Sequence, residues 1–241
     1  MSSSSSCESE KEKRKIIMLL SHEKLAFLFV VFSLFVLDPV HSQFIPPAKF
    51  DGFVYENRPV NKDTIVIDAF LDPVCPASRD SWPPLKQAVQ HYGPRVGLTV
   101  HLFPLPYHDN AFVASRALHI VNRLNTSATF DLLEGFFKHQ ENFYNSPTRN
   151  MSRVSVVHHL AIFTAQVIGN SYHNAIHSGF DDHKSGHKAR ISFKYAASRG
   201  VYGTPSFFIN GFFLPDAGSA TNYTGWRSFI DPLLNGNQGS V

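Results

Sequence analysis

The first apolar run of strand length, TIVIDAF (residues 64–70), is rich in β-branched side chains and predicts a central strand covered on both faces. Asp72 and Pro73 end that pattern. Pro76 then suits the first turn of a helix reaching about Tyr92, with a kink or break expected at Pro83-Pro84 inside it. In VGLTVHLF, Val96, Leu98, Val100 and Leu102 alternate strictly, so a second strand with one strongly apolar face follows. Strand, helix and strand form a right-handed βαβ unit with Cys75 at the carboxyl end of its first strand.

From about residue 109 to residue 200 the apolar period is helical. Three faces stand out: Val113, Ala117, Ile120, Val121 and Leu124; Phe130, Leu133, Phe136 and Phe137; and Val154, Val157, Ala161, Ala165 and Ile168. His158, beside Ala161, is expected to be partly buried. A further helix spans Lys184 to Ser198, and Gly179 and Gly186 among polar residues predict a loop before it. Strand signals return in SFFINGFFL, where Asn210-Gly211 marks a hairpin. Trp226, Phe229, Ile230, Leu233 and Leu234 share one face of a last helix that Pro232 distorts. The pattern is therefore an α/β chain with a helical block inserted into a sheet.

Composition narrows the class. The chain has 241 residues, 43% hydrophobic and 17% charged, which fits one globular domain. A formal net charge of +3, with no Lys/Arg block beyond the first fifteen residues, excludes a nucleic-acid partner. The N-terminus carries Ser2 to Ser6, a basic cluster (Lys11, Lys13, Arg14, Lys15) and the apolar run from Leu25 to Leu37. That is the layout of a secretory leader over residues 1–42, with the mature domain spanning 43–241 and no stable membrane span expected. Initiation at Met18 and an uncleaved leader acting as an anchor are the alternatives. Sequons at Asn125, Asn150 and Asn222 agree with a route to the endomembrane lumen or the exterior. The two cysteines are Cys7 and Cys75, so loss of the leader leaves one thiol and no internal disulfide.

A cysteine at a helix N-terminus has its thiolate stabilised by unpaired backbone N–H groups and the helix dipole. Cys75-Pro76-Ala77-Ser78 follows a strand, and Gly203-Thr204-Pro205 leads into the hairpin far downstream. Together, from about Phe53 to Leu234, they resemble the thioredoxin superfamily, most closely its DsbA-like branch. The resemblance implies a thioredoxin-like central sheet with a large helical insertion. It also implies a cis Thr204–Pro205 bond close to Cys75, with Pro76, Thr204 and Pro205 facing substrate and the Thr204 backbone pairing with an extended peptide. Ser78 departs from the pattern, standing where a dithiol enzyme has its second cysteine. Its hydroxyl can donate to the Cys75 thiolate but cannot resolve a mixed disulfide.

Three functions fit these residues. Cys75 with Ser78 forms a monothiol site that exchanges or isomerises disulfides of cysteine-bearing client proteins, with no resident cofactor and glutathione as an external thiol. A redox-silent module that binds peptides through the same groove is the alternative. The third is a glutathione-dependent transferase or isomerase activated by Ser78. His173 and His177, like His183 and His187, are four residues apart, a spacing open to zinc, but solvated or titrating histidines are expected and no metal site is assigned. Phenylalanines 136, 137, 207, 208, 212 and 213 serve the core, with a few near the hairpin available to a client groove.

Overall fold

The structure, a computed structural model, describes residues 50–58, 61–215 and 219–236; the leader expected over residues 1–42 and Cys7 lie outside them. Strand β1 (Phe53–Val54) is followed by β2 (Ile65–Leu71), helix α1 (Pro76–Tyr92) and β3 (Val96–Leu102). The insertion comprises α2 (Ala111–Leu124), α3 (Thr129–Lys138), α4 (Asn145–Thr148), α5 (Arg153–Ile168), α6 (His173–Asp181) and α7 (His183–Ser198). Strands β4 (Ser206–Ile209) and β5 (Phe212–Phe213) and helix α8 (Tyr223–Gly236) complete the fold.

The sheet order is β1-β3-β2-β4-β5, so β2 is the central strand. β2 runs parallel to β3, with Ile65 opposite Val96 and Leu71 opposite Leu102, and antiparallel to β4, with Phe70 opposite Ser206. Asn210 (φ 49°) and Gly211 (φ 83°) both adopt left-handed backbone at the β4–β5 turn, the geometry that an Asn-Gly hairpin favours. β1 escapes the sequence pattern because two residues carry no period.

Several sequence expectations are corrected. β3 is covered on both faces: beside the apolar row Val96 to Leu102, His101 is buried and its ring lies 4.9 Å from that of Tyr195 on α7. Helix α1 runs without a break through Pro83-Pro84, since Trp82, Leu85, Ala88 and Val89 bury a continuous face that offsets the lost backbone bonds. In α5 the buried face is Val156, Leu160, Ala161, Phe163, Thr164 and Ala165, while Val154 and His158 are exposed. Gly179 and Gly186 lie inside α6 and α7, not in a loop. A Cβ on Gly179 would meet Ile120 Cγ2 at 2.7 Å, so this glycine lets α6 close onto α2. The turn between α6 and α7 shrinks to Asp182, whose carboxylate caps α7 by accepting from the Lys184 amide.

A buried polar chain links the sheet to α7. His101 Nδ1 and Nε2 each stand 3.2 Å from a carboxylate, Asp51 Oδ2 and Asp68 Oδ1 respectively. Ser192 Oγ donates to Asp51 Oδ1 at 2.7 Å, and His119 Nε2 lies 3.0 Å from Ser192 Oγ. The single serine hydrogen is thus committed, and His119 must donate from Nε2. Burial opposes charge on His101, yet its bonds to Asp51 and Asp68 hold its pKa above the usual 6.5. Burial also pushes Asp51 upward, but bonds from His101 and Ser192 bring it below the ordinary carboxylate value. For His119 burial wins, and its pKa falls to about 4.

The signs give opposite limbs. His101, raised in the folded state, stabilises fully below pH 6.5 and loses its contribution as pH rises through the folded value. His119 is lowered, so the unfolded chain takes up its proton first and stability is lost as pH falls from 6.5 toward about 4. The urea midpoint is therefore expected to peak near pH 6.5. His119→Gln should flatten the limb just below it and His101→Gln the limb above. An unaltered profile in both variants would refute the assignment.

Candidate active site around Cys75

At the end of β2 the chain turns on Asp72, a fully buried residue. Its Oδ1 accepts from the Val74 amide at 2.8 Å, and its Oδ2 accepts from the Leu105 amide at 3.0 Å and lies 2.8 Å from His108 Nδ1. Its carbonyl accepts from the Cys75 amide at 3.1 Å. Cys75 is thereby set as the N-cap residue of α1, with Pro76 in the first turn.

The Thr204–Pro205 bond is cis, and Cys75 Sγ donates to the Thr204 carbonyl across 3.4 Å. The two motifs, 129 residues apart, meet as the resemblance implies. Two details differ from the sequence expectation. Cys75 is 5% exposed, and no helix amide bonds its sulfur; it sits in an apolar cluster with Phe70, Phe103, Leu105, Ala196, Val201 and Phe208. Ser78 is fully buried and its Oγ accepts from the Asp72 amide at 3.2 Å. Among the described residues no bond joins Ser78 to the cysteine sulfur.

Residues that the sequence did not single out complete the surroundings. Gln140, after α3, donates from Nε2 to the carbonyls of Pro73 (3.0 Å) and Cys75 (2.9 Å), and Tyr144 donates to its Oε1 at 2.9 Å. Nothing in the sequence marks Gln140. Asp72 and His108 carried a faint signal, an acid directly after a strand and a histidine in a proline-rich strand exit, which gains meaning only once both are folded together. Tyr107 stands close enough that, after partial burial, negative charge on Cys75 and Asp72 raises its pKa. The Thr204 amide has no partner among the described residues, whereas its carbonyl is held by Cys75.

Other expected residues lie apart from the site. Asn150 and Asn222 are exposed and Asn125 is half-buried. Phe207 and Phe208 are buried, while Phe212 (79%) and Phe213 (42%) are exposed on β5. Among the described residues no group of three or more His, Cys, Asp or Glu side chains is placed to hold a metal ion. His177 instead faces Asp181 at 3.6 Å.

Residues 61–232 match the thioredoxin family. The chain belongs to this family. A solved candidate protein-disulfide isomerase from Pseudomonas syringae superposes on this thioredoxin-family chain with a TM-score of 0.60 at 20% identity, covering 69% of this chain and 93% of that one. The thiol-disulfide exchange protein alpha-DsbA2 from Wolbachia pipientis gives a TM-score of 0.56 at 16% identity, covering 76% and 87%. A periplasmic thioredoxin-like protein from Salmonella enterica serovar Typhimurium gives 0.53 at 20% identity, covering 76% and 90%. These likenesses are of fold. A search of curated proteins found no match. No helix among the described residues is long and apolar enough to cross a membrane.

Ser78→Ala removes the acceptor of a buried backbone amide. The expected cost is about 1–3 kcal/mol of stability in urea unfolding, with the rate of Cys75 alkylation in the folded state little changed. A serine that acts on the sulfur would give the reverse result, altered alkylation at near-native stability.

Proposed function

We propose that this thioredoxin-family protein performs monothiol disulfide exchange on cysteine-bearing client proteins in the secretory route, through Cys75. The observation that carries the reading is the placing of this sulfur. Cys75 is the N-cap residue of α1, and its sulfur lies 3.4 Å from the Thr204 carbonyl, next to a Thr204 amide that has no partner among the described residues. An extended client segment that pairs with that amide brings its disulfide to the sulfur, in the manner of strand addition. Cys75 gives up its proton and attacks one client sulfur; a mixed disulfide forms and the other client sulfur leaves as the thiolate. Since residue 78 is serine, release needs a second thiol from outside. Glutathione or another client cysteine attacks the mixed disulfide and frees Cys75, so a net isomerisation consumes no oxidant. The leader and the exposed sequons Asn150 and Asn222 support the secretory route.

The burial of the sulfur favours a second reading, a redox-silent peptide-binding module. A glutathione transferase dependent on Ser78 finds less support, because that hydroxyl is fully buried against the Asp72 amide.

The full chain carrying Cys7→Ser, incubated with oxidised glutathione, is expected to gain one glutathione adduct by mass, at Cys75, reversed by reduced glutathione. It should also speed recovery of a scrambled disulfide protein, and Cys75→Ser should abolish both effects. An adduct that forms only after denaturation would decide for the binding module. Turnover that survives Cys75→Ser and fails in Ser78→Ala would decide for the transferase.

A further inference from the structure

Beside the Cys75 loop, between the segment after β3 and helix α7, lies a cavity of about 440 Å³. Leu105, His108, Phe112, Arg190 and Phe193 line it, and its size falls within the range of small-ligand sites. Two of its walls belong to the Cys75 surroundings. Leu105 shares the buried cluster of the sulfur, and His108 bonds the same Asp72 that receives the Cys75 amide.

Three guanidinium groups gather behind this cavity. Arg190 lines it, and Arg153 Nη1 reaches the carbonyl of Asp109 on its rim at 3.5 Å. Arg116, one helical turn beyond Phe112, feels both: burial first, then the charges of Arg153 and Arg190, lower its pKa. Among the described residues none of the three forms an ion pair with a carboxylate; Arg116 bonds only the Ser185 hydroxyl and the Phe180 carbonyl. Asp181 acts on Arg116 in the opposite sense, and Asp109 lines the cavity. Three guanidinium groups against two carboxylates, with none of the guanidinium groups ion-paired among the described residues, leave the cluster net positive, and an incoming carboxylate offsets that charge while gaining charge-assisted hydrogen bonds.

We infer that this cavity is an anion subsite that seats the carboxylates of a small peptide thiol of the glutathione class for exchange at Cys75. The inference rests on the proposed reactivity of Cys75 and names its external thiol. The chemistry balances: the Cys75 sulfur attacks oxidised glutathione, the glutathione S–S bond breaks as the protein–glutathione bond forms, and the departing thiolate takes up the proton that Cys75 gave. In the release step the thiolate of reduced glutathione attacks the client sulfur of the mixed disulfide, the Cys75–client bond breaks as the client–glutathione bond forms, and Cys75 takes up the proton that glutathione gave. The volume of the cavity, about 440 Å³, suits this ligand rather than an acidic protein segment, which needs an extended groove.

The test compares the rate of adduct formation at Cys75, in the Cys7→Ser full chain, with oxidised glutathione and with the uncharged bis(2-hydroxyethyl) disulfide. The ratio of the two rates reports the anion subsite and cancels changes in the thiol itself. Arg190→Glu is expected to lower the ratio about tenfold, corresponding to about 1.4 kcal/mol, and Arg153→Glu to lower it in the same direction. In the unsubstituted sequence at these arginines, S-methylglutathione, which has no reactive sulfur, should slow the glutathione reaction by competition. A ratio unmoved by either variant, with no competition, overturns the subsite while leaving monothiol exchange intact. Failure of Cys75 to react with either disulfide overturns both. A variant effect seen with acidic client peptides but not with glutathione overturns the small-thiol assignment.

Discussion

The site depends on the burial of one carboxylate. Asp72 has no exposed surface, and a buried carboxylate is tolerated only where its oxygens are satisfied. The chain meets that demand with the Val74 and Leu105 amides and the His108 ring, so the end of β2, the start of α1 and the segment after β3 are held to one point. The backbone of the same residue receives the Cys75 amide and donates to Ser78. Counting on from Phe70 opposite Ser206 brings Asp72 level with Thr204, so the meeting of cysteine and proline loop follows from the β2–β4 register. A slip of that register would separate the motifs even if both kept their local shape.

The helical insertion has a part in this beyond covering the sheet. Gln140, fully buried, satisfies the carbonyls of Pro73 and Cys75. An amide has two N–H groups and one carbonyl oxygen, and here both kinds of group are used, since Tyr144 donates to the oxygen. The loop is thus bonded from the strand, from its own helix and from the insertion. A loop held from three sides presents its sulfur in a fixed direction, so in the proposed exchange it is the client that adapts to the protein.

How far the sequence disclosed this arrangement follows from which forces are local. β2, α1, the Asn-Gly hairpin and the helical block declare themselves through period and turn chemistry, which act within a few residues. The pairing of Cys75 with Thr204-Pro205 was implied only by the family resemblance that two short motifs carry. The polar interior was not legible: Asp72–His108, Asp51–His101–Asp68 and Gln140 join residues about 30 to 70 apart, and each reads alone as an ordinary surface residue. The loop expected at Gly179 failed for a related reason. Local propensity marks glycine as a breaker, while the contact that requires it, Ile120 on another helix, is absent from the local pattern.

Ser78 then has a physical rationale independent of redox chemistry. Its position is sealed, and the group aimed at it is the Asp72 N–H, which needs a good acceptor at about hydroxyl distance. A thiol there is larger and accepts weakly, so a cysteine would loosen the residue that organises the loop. With serine at position 78 the Cys75 thiol has no second cysteine in its own loop, and it rests on the Thr204 carbonyl. Any reaction must first break that bond, and the partner best placed to do so is a strand that occupies the neighbouring amide and displaces the thiol from its acceptor. In the proposed exchange, burial of the sulfur and its reactivity are then compatible, because the strand that brings the disulfide would also confer access.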